Sequence, residues 1–307
     1  MTNKNILPSV EFYNQLSDVY DQMMSWQTRI GQEGMFFKKL VADYRIKSSL
    51  SIACNTGFYV VMFRRMGLDA VGIDESSRMI DKARVNSVAC GVTVDFVWGD
   101  YLTLAKRFSE GFDIITVMED SLSHLKNRTE LNKIIDSLHA ILNPAGILVL
   151  QSRNYELILK NQDRFHPPIS NRSGIDETIF FRFLDFTPKK IEYNVVKFHK
   201  HENQWNNQAI TTEIFPCFKS DLEGMLKGAG FKEINTYRNF NFEDFDKNSV
   251  EVIFVAQKKG TQRPERKKHA SREKKAIPSL KGKSPMPVKG TPVKSRPLKT
   301  GKSPKRK

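Results

Sequence analysis

Two short segments near the start of the chain constrain its fold more than any other feature. The first covers residues 50–57 (LSIACNTG) and the second covers residues 71–74 (VGID). An apolar run leads into a turn of small residues, and a helical stretch and a second apolar run that ends in an acid follow. This order predicts a strand, a turn, a helix and a second strand. In a parallel sheet this brings a helix N-terminus and a carboxylate around one ligand, where the carboxylate can bind a ribose. The pattern therefore predicts a site for a nucleotide-like cofactor.

Apolar runs and helical periods alternate over the first half of the chain. The alternation predicts a parallel α/β sheet, because parallel strands need helical connections. The predicted strands are 49–53, 70–73, 93–98, 112–117 and 146–152, and the predicted helices are 57–66, 76–89 and 128–142. Ser76 is expected to cap the second helix, and residues 143–146 are expected to form a turn. Apolar residues three to four apart over 11–44 predict a helical lid on the sheet.

The hydrophobic pattern changes after residue 153. Alternating residues between about 175 and 216 predict an antiparallel β insertion that covers the ligand cleft. The sheet is then completed by strands at 231–238 and 250–257. They follow a helix over 220–230 that begins at a capping box of Ser220 and Glu223. The sequence therefore predicts one domain over residues 1–257, built on a Rossmann-like sheet of seven strands.

The turn after the first strand indicates the class of cofactor. A dinucleotide-binding turn would carry three glycines, whereas residues 50–57 contain one, Gly57. The turn resembles the A-C-G-T-G turn of class I S-adenosylmethionine-dependent methyltransferases, with Ser51 in place of the family's usual acid and Asn55 in place of a glycine. Asn tolerates a left-handed backbone, so the turn can form. The alternative is another doubly wound domain with a loose turn.

Two carboxylates follow the second and third predicted strands. Asp74 can accept both hydroxyls of a ribose, or it can cap the next helix. Asp100 can bind an adenine amino group while Tyr101 or Leu102 covers the ring, or it can be an ordinary turn acid. Both acids lie where the carboxyl ends of parallel strands place a ligand.

Charged residues also follow the fourth and fifth predicted strands. Glu119 and Asp120 can attract an amine acceptor beside a cationic sulfonium, or they can belong to a solvated helix N-terminus. Arg153 can clamp a carboxylate, or it can form a surface ion pair. His199 and His201 share one face of a strand, which a charged hairpin explains better than a metal site. We therefore expect no metal.

Residues 11–257 resemble the glycine N-methyltransferase-like branch of that methyltransferase class. The markers are D-S-L-S-H-L at 120–125, R-N-Y at 153–155, R-F-H-P-P at 164–168 and the segment 222–231. The resemblance implies S-adenosylmethionine as cofactor, with Arg29 at its carboxylate, Asp74 at its ribose and Asp100 at its adenine. The full set of implied cofactor-binding residues is Arg29, Ala53, Asn55, Gly57, Asp74, Asp100, Tyr101, Leu102 and Met118. The implied catalytic set is Asp120, His124, Arg153 and Tyr155, in which Arg153 holds the carboxylate of an amino-acid acceptor.

One motif departs from that branch. Where the family has L-G-N-S, residues 118–121 of this chain read M-E-D-S. We hypothesise that Glu119 and Asp120 orient the amine of a small-molecule acceptor while Arg153 fixes its other end, so that the enzyme methylates nitrogen. Two rival functions are a methyltransferase for nucleic acid or protein that is delivered by a basic tail, and a catalytically degenerate domain tethered to polyanions.

The basic tail accounts for the excess positive charge. The net charge of the 307 residues is +15, but residues 258–307 hold 19 Lys and Arg and 2 acidic residues, which leaves residues 1–257 close to neutral. The tail has no aromatic residue and seven prolines, so it is expected to be disordered. Lysines interleaved with Ser/Thr-Pro pairs suit non-specific binding to DNA, RNA or another polyanion, or else a solubilising role.

The remaining features of the sequence indicate an intracellular protein. The three cysteines are scattered, with no C-x-x-C pair, which suits a reducing compartment. No apolar signal region and no apolar run of 18 residues are found, so no membrane association is expected. We expect a cytoplasmic protein, with nucleoid or nuclear association possible through the tail. The sequence leaves the oligomeric state open.

Overall fold

A seven-stranded sheet forms the centre of the part of the chain that the structure, a computed structural model, describes: residues 5–187, 190–202 and 204–260. The strands in chain order are β1 (Ile6–Leu7), β2 (Ser48–Ile52), β3 (Asp69–Asp74), β4 (Asp95–Trp98), β5 (Phe112–Val117), β6 (Leu142–Arg153), β7 (Ile169–Ser173), β8 (Asp176–Phe186), β9 (Ile191–His201), β10 (Gln204–Ile214), β11 (Phe231–Tyr237) and β12 (Glu251–Lys258). The helices are α1 (Ser9–Leu16), α2 (Tyr20–Met23), α3 (Trp26–Asp43), α4 (Phe58–Arg65), α5 (Ser77–Ala89), α6 (Leu104–Arg107), α7 (Arg128–Ile141), α8 (Tyr155–Asn161) and α9 (Lys219–Ala229). The predicted disordered tail lies outside the described residues from position 261 onward.

The central sheet has the strand order β11-β12-β6-β5-β2-β3-β4. The five strands from β6 to β4 are parallel, and β12 is antiparallel to both of its neighbours. The predicted seven-stranded Rossmann-like sheet is therefore confirmed. The strand order reverses between β2 and β5, and in such sheets ligands bind at the carboxyl ends of the strands beside this switch point.

Apolar helix faces cover both sides of this sheet. Every residue of β2 is buried, as expected for a central parallel strand with helices on both faces. Helix α7, predicted over 128–142, has one apolar stripe, in which Leu131, Ile134, Ile135 and Leu138 are all buried in the same core cluster as the strands. The rigid sheet fixes the positions of the strand ends, and those ends carry the candidate site.

Two additional parts lie over the carboxyl ends of the strands. The predicted helical lid is present, but it consists of the three helices α1, α2 and α3 rather than one continuous helical segment. The predicted antiparallel insertion forms a separate sheet in the order β1-β10-β9-β8-β7. This sheet includes two strands that the sequence did not predict, β7 and the short β1, which pairs in parallel with β10. No helix within the described residues is long and apolar enough to cross a membrane.

Two local predictions were wrong. Residues 143–146 do not form a separate turn, because β6 already begins at Leu142, which pairs with Phe112. These residues belong to the strand, where the register shifts and Ala145 has a left-handed φ. The capping box at Ser220 is also absent. Helix α9 begins at Lys219, whose amide donates to Glu156, while Glu223 pairs with Lys219 and Lys227 on the helix surface.

Candidate active site

The turn after β2 brings a backbone amide to the end of β3. Ala53 and Asn55 have left-handed φ angles of 47° and 49°, and Gly57 has a φ of 94°. A Cβ on Gly57 would lie 2.9 Å from the Phe96 ring, so this position needs glycine for its packing as well as for its backbone. The Asn55 amide donates a 2.8 Å hydrogen bond to Asp74 Oδ2. The turn and the acid that were predicted to share a ligand are therefore in direct contact.

Asp74 is a buried carboxylate at the tip of β3. Its Oδ1 accepts a 2.9 Å hydrogen bond from the amide of Ser76, whose side chain accepts from the Met79 amide and so caps α5 as predicted. Burial, only partly offset by the hydrogen bonds from Ser76 and Asn55, raises the pKa of Asp74 to about 6. A buried carboxylate that retains free lone pairs is suited to accept two hydroxyl donors.

A small cavity of about 50 Å³ lies beside Asp74. Its walls combine the ends of β2 and β3 with Tyr101 and with the lid helix α1. It is lined by Ser9, Val10, Tyr13, Ala53, Asn55, Asp74, Glu75, Ser76, Tyr101, Ser121, His124 and Leu125. The structure therefore brings four of the predicted cofactor residues together here: Ala53, Asn55, Asp74 and Tyr101.

A larger cavity of about 320 Å³ lies beyond the carboxyl ends of β5 and β6. The three lid helices and strands β8 to β10 of the second sheet close it. Its lining includes Arg29 and the whole predicted catalytic set: Asp120, His124, Arg153 and Tyr155. Tyr13 and His124 line both cavities, so this pair stands at their boundary.

The other predicted cofactor residues do not line either cavity. Asp100 is exposed, and its Oδ1 accepts a 2.7 Å hydrogen bond from the Leu102 amide, so it caps the short 3-10 helix that begins at Tyr101. Leu102 is itself exposed. Met118 is buried in the apolar core below the strand ends, and Gly57 supports the turn from below. Their cofactor contacts stay predictions.

Arg29 lies in a buried cluster between α3 and the strand ends. Its Nε donates to Glu33 at 2.9 Å and its Nη1 pairs with Glu119, while the guanidinium carbon lies 4.1 Å from the Phe58 ring centroid. Burial alone would lower the pKa of Arg29, but Glu119 raises it, so the side chain stays cationic. Its Nη2 is buried and has no partner among the described residues. This cation therefore has one N–H direction left for an acceptor group.

The two adjacent carboxylates Glu119 and Asp120 engage different parts of the site. Both have left-handed φ angles, of 59° and 60°. Glu119 pairs with Arg29 and accepts a hydrogen bond from Tyr20 of the lid, and at 3.3 Å one from the Asn55 side chain. Glu119 thus belongs to the group around Arg29 and the β2 turn.

Asp120 instead organises the residues at the end of β6. Its Oδ1 accepts hydrogen bonds from the side chains of Ser123 at 2.8 Å and Ser152 at 3.1 Å, and from the Arg153 amide at 3.2 Å. Its Oδ2 accepts a 2.5 Å hydrogen bond from the Tyr155 hydroxyl. With four donors already in place, Asp120 is nearly saturated as an acceptor.

His124 and Arg153 complete the predicted catalytic set. Burial lowers the pKa of His124 to about 4, so the imidazole is neutral at pH 7, and its Nε2 shares a 2.8 Å hydrogen bond with the hydroxyl of Tyr13. Arg153 Nη1 lies 2.5 Å from Nε2 of His166, and its Nε is 3.8 Å from Asp120. Arg153 is therefore held at one side and open to the cavity.

Several residues of the site were not identified from the sequence. Tyr13 and Tyr20 lie on the lid, which was predicted only as a helical cover, and Glu33 follows Arg29 by one helical turn. His166 lies in the segment 164–168 that marked the family resemblance, but it was given no role. In the described ranges, no group of three or more His, Cys, Asp or Glu side chains is placed to hold a metal ion.

Comparison with known proteins identifies relatives that match about four fifths of this chain. Residues 50–146 match a family model described as a methyltransferase domain. The chain is 24% identical over 249 residues to the glycine/sarcosine N-methyltransferase of Aphanothece halophytica, covering 81% of this chain and 90% of that protein. It is 26% identical to the glycine/sarcosine N-methyltransferase of Halorhodospira halochloris, with 81% and 89% coverage.

Solved structures share the fold. An S-adenosylmethionine-dependent methyltransferase from Clostridium acetobutylicum superposes with a TM-score of 0.67 at 15% identity, covering 81% of this chain and all of that one. CalS10, an S-adenosylmethionine-bound amino pentose methyltransferase from Micromonospora echinaspora, gives 0.63 at 14% identity, with 83% and 99% coverage. At these identities the structural matches establish the common fold.

Proposed function

We propose that this chain, which belongs to the class I S-adenosylmethionine-dependent methyltransferases, methylates the nitrogen of a small acceptor that also carries an anionic group. The observation that carries the proposal is the cavity under the lid in which Arg153, Tyr155 and Tyr20 surround a space next to Arg29 and Glu119. A cavity of about 320 Å³ under a lid suits a small molecule, since ligand pockets of drug size start at about 300 Å³.

The residues present fit the cofactor at both of its ends. The unpartnered Nη2 of Arg29 suits the carboxylate of the cofactor's amino-acid end. The Glu119 carboxylate beside it suits the ammonium group of that end. Glu119 would thereby replace the acid that the family usually has at the position of Ser51. Asp74 would accept the ribose hydroxyls, and Tyr101 would lie beside the base. When bound, S-adenosylmethionine supplies an electrophilic methyl group on a positively charged sulfur.

The lid has to move before an adenosine can enter. The cavity beside Asp74 has room for only a few water molecules, since one water needs roughly 10–15 Å³ by the same measure. Ser9, Val10 and Tyr13 of α1 form the wall that can give way, because the opposite wall is the sheet. Closure of α1 after entry would exclude water from the reaction.

On the acceptor side, we assign binding to Arg153 and positioning to the residues that hold it. Arg153 would bind the anionic group of the acceptor, while Asp120 fixes both the Arg153 backbone and the Tyr155 hydroxyl. Asp120 is a positioning residue in this account, since its lone pairs are occupied. His124, neutral at pH 7, would hold the Tyr13 hydroxyl at the boundary of the two cavities. The protein's contribution is alignment and desolvation of an amine lone pair.

The test compares small and macromolecular acceptors in one assay. The full-length protein is incubated with methyl-labelled S-adenosylmethionine together with amino acids, small amines, DNA and a protein mixture, and the labelled product is separated by size. Label in a low-mass N-methyl product is the expected result. Label in DNA or protein alone would overturn the proposal and favour the rival in which the basic tail delivers a macromolecular substrate.

A further inference from the structure

Arg182 is a charged residue of the larger cavity that the proposed function does not use. It lies on β8, in the sheet that covers the strand ends, two residues before the buried Leu184 that lines the same cavity. Its Nε is buried, and within the described ranges it has no hydrogen-bond partner. Other arginines of this sheet region are paired, Arg164 with Asp185 and Arg172 with Glu177. Arg182 therefore presents a donor that the folded chain leaves unused.

Arg153 and Arg182 both line the cavity, and the positive charges of both act on the His166 imidazole. The Arg153 guanidinium contacts His166 Nε2, and the His166 amide donates a 2.9 Å hydrogen bond to the Arg182 carbonyl. Burial, together with the positive charges of Arg153 and Arg182, lowers the pKa of His166 to about 3. The imidazole is therefore neutral. Two guanidinium groups thus share one end of the cavity, and the nearest carboxylate to Arg153 is Asp120, 3.8 Å from its Nε.

Two cations in a partly buried cavity repel each other unless an anion lies between them. Among the carboxylates lining the cavity, Glu119 and Glu33 are committed to Arg29, and Asp120 accepts from Tyr155, Ser123 and Ser152. The last one, Glu251, accepts a 2.6 Å hydrogen bond from Gln151. Within the described residues none of these carboxylates is hydrogen-bonded to Arg182, so an acceptor for its buried Nε is one that a ligand can bring.

We infer that Arg153 and Arg182 together bind an acceptor amine that carries two negative charges at its far end. This inference rests on the proposed function and narrows its acceptor class. A second carboxylate, as in a dicarboxylic amino acid, and a phosphate, as in an aminoalkyl phosphate, would supply the same chemistry. In either case the planar fork of each arginine can bind two oxygens at once. Arg182 sets the specificity, and Arg153 alone would suffice for a single carboxylate.

The first experiment measures methyl transfer by the full-length protein to three probes: glycine, aspartate and O-phosphoethanolamine. We expect one of the two dianionic probes to exceed glycine at least tenfold in kcat/KM, and the probe that does so identifies the source of the charge. In Arg182→Ala this ratio should fall close to one through a rise in KM, whereas Arg182→Lys should retain part of it. The exposed Arg172→Ala is the matched control, and its ratio should equal that of the wild type.

A binding measurement keeps the inference separate from the proposed function. Calorimetric titration of the full-length protein with the same three probes, in the presence of S-adenosylhomocysteine, reports affinity without turnover. Tighter binding of a dianionic probe that is lost in Arg182→Ala supports the inference even if no probe is methylated. Glycine binding as tightly as both dianions, or a dianion preference that survives in Arg182→Ala, overturns it. If the inference is overturned in this way but glycine is methylated, the proposed function still stands.

Discussion

The two halves of the site are built in different ways. On the cofactor side, Asp74 and the β2 turn come from neighbouring strands, are close in sequence and are joined by a hydrogen bond from the Asn55 amide to the Asp74 carboxylate. On the acceptor side, Arg153 comes from the end of β6, Tyr20 from the lid and Arg182 from the second sheet. The contact at the Asp74 end of the first half is thus fixed by the sheet itself, whereas the second half depends on segments that can change independently of the sheet. We therefore expect variants of the first half to change cofactor binding and variants of the second half to change the choice of acceptor.

Charge distinguishes the two halves as well. Around Arg29, two carboxylates share one cation, so the cofactor side carries an excess of negative charge that suits a sulfonium. Around His166, the charges of two guanidinium groups act together, Asp120 lies 3.8 Å from Arg153 Nε, and the buried Nε of Arg182 has no hydrogen-bond partner within the described residues, which suits an anion. The site therefore has an acidic end and a basic end, and variants at each end should affect different ligands.

Asp74→Ala should have the largest effect on the cofactor side. Loss of two charge-assisted hydrogen bonds of about 1.5 kcal/mol each corresponds to roughly 100-fold weaker binding of S-adenosylmethionine. Calorimetric titration of the full-length variant measures this, with Asp81→Ala, an exposed acid on α5, as the control. Retention of wild-type affinity in Asp74→Ala would remove the ribose contact from the account.

Cofactor affinity should depend on pH through the same residue. The pKa of Asp74 is raised to about 6 in the folded protein, so the ligand-free fold binds its proton more tightly than the unfolded chain does. The contribution of this proton to the free energy of unfolding is present below the pKa that Asp74 has in the unfolded chain, and it is lost as the pH rises through 6. Ribose hydroxyls need the ionised form, so affinity for S-adenosylmethionine should fall about tenfold from pH 7 to pH 5.

The control for that pH dependence is Asp74→Asn. This variant should bind the cofactor weakly at both pH values, with the tenfold dependence removed. A wild-type affinity that rises on acidification would contradict the assignment, because it would require the protonated acid to be the binding form.

Glu119→Gln should have a smaller effect, limited to the amino-acid end of the cofactor. One charge-assisted contact with the ammonium group is worth about 1 kcal/mol more than a neutral one, so S-adenosylmethionine should bind about fivefold more weakly. Binding of 5′-methylthioadenosine, which lacks the amino-acid end, should be unchanged. Tighter binding of S-adenosylmethionine to the variant would mean that Glu119 competes for Arg29 instead of binding the ammonium group.

The local sequence pattern predicted the contact between the β2 turn and Asp74, whereas the full catalytic set was predicted only through the family resemblance. All four residues of that set line the larger cavity, while four of the nine predicted cofactor residues line neither cavity. The turn at 53–57 and Asp74 are separated by one helix, so a local pattern specifies their contact. Met118 and Asp100 also follow strands, but the position of a residue after a strand does not decide whether its side chain faces the cleft, the core or the solvent. In the structure Met118 faces the core, and Asp100 caps a short helix.

The contacts of the lid could not be predicted in the same way, because they span long sequence distances. Tyr20 reaches Glu119 from 99 residues away, and Tyr13 reaches His124 from 111. The hydrophobic period of the lid predicted its helices but not which polar residues point inward. Arg182 carries no local signal at all, since it is one of several charged residues in an alternating strand. Only the packing of β8 over the strand ends gives it a place in the cavity.

The most direct test of the separation between the two halves is Arg153→Ala, measured in two assays on the full-length protein. We expect an unchanged Kd for S-adenosylmethionine, together with at least a tenfold rise in KM for any acceptor that carries an anionic group, since a charge-assisted contact is worth about 1.5 kcal/mol or more. Arg128→Ala, an exposed arginine paired with Asp221, should change neither quantity. An unchanged KM for the acceptor, or a loss of cofactor affinity equal to the loss of acceptor affinity, would contradict the account.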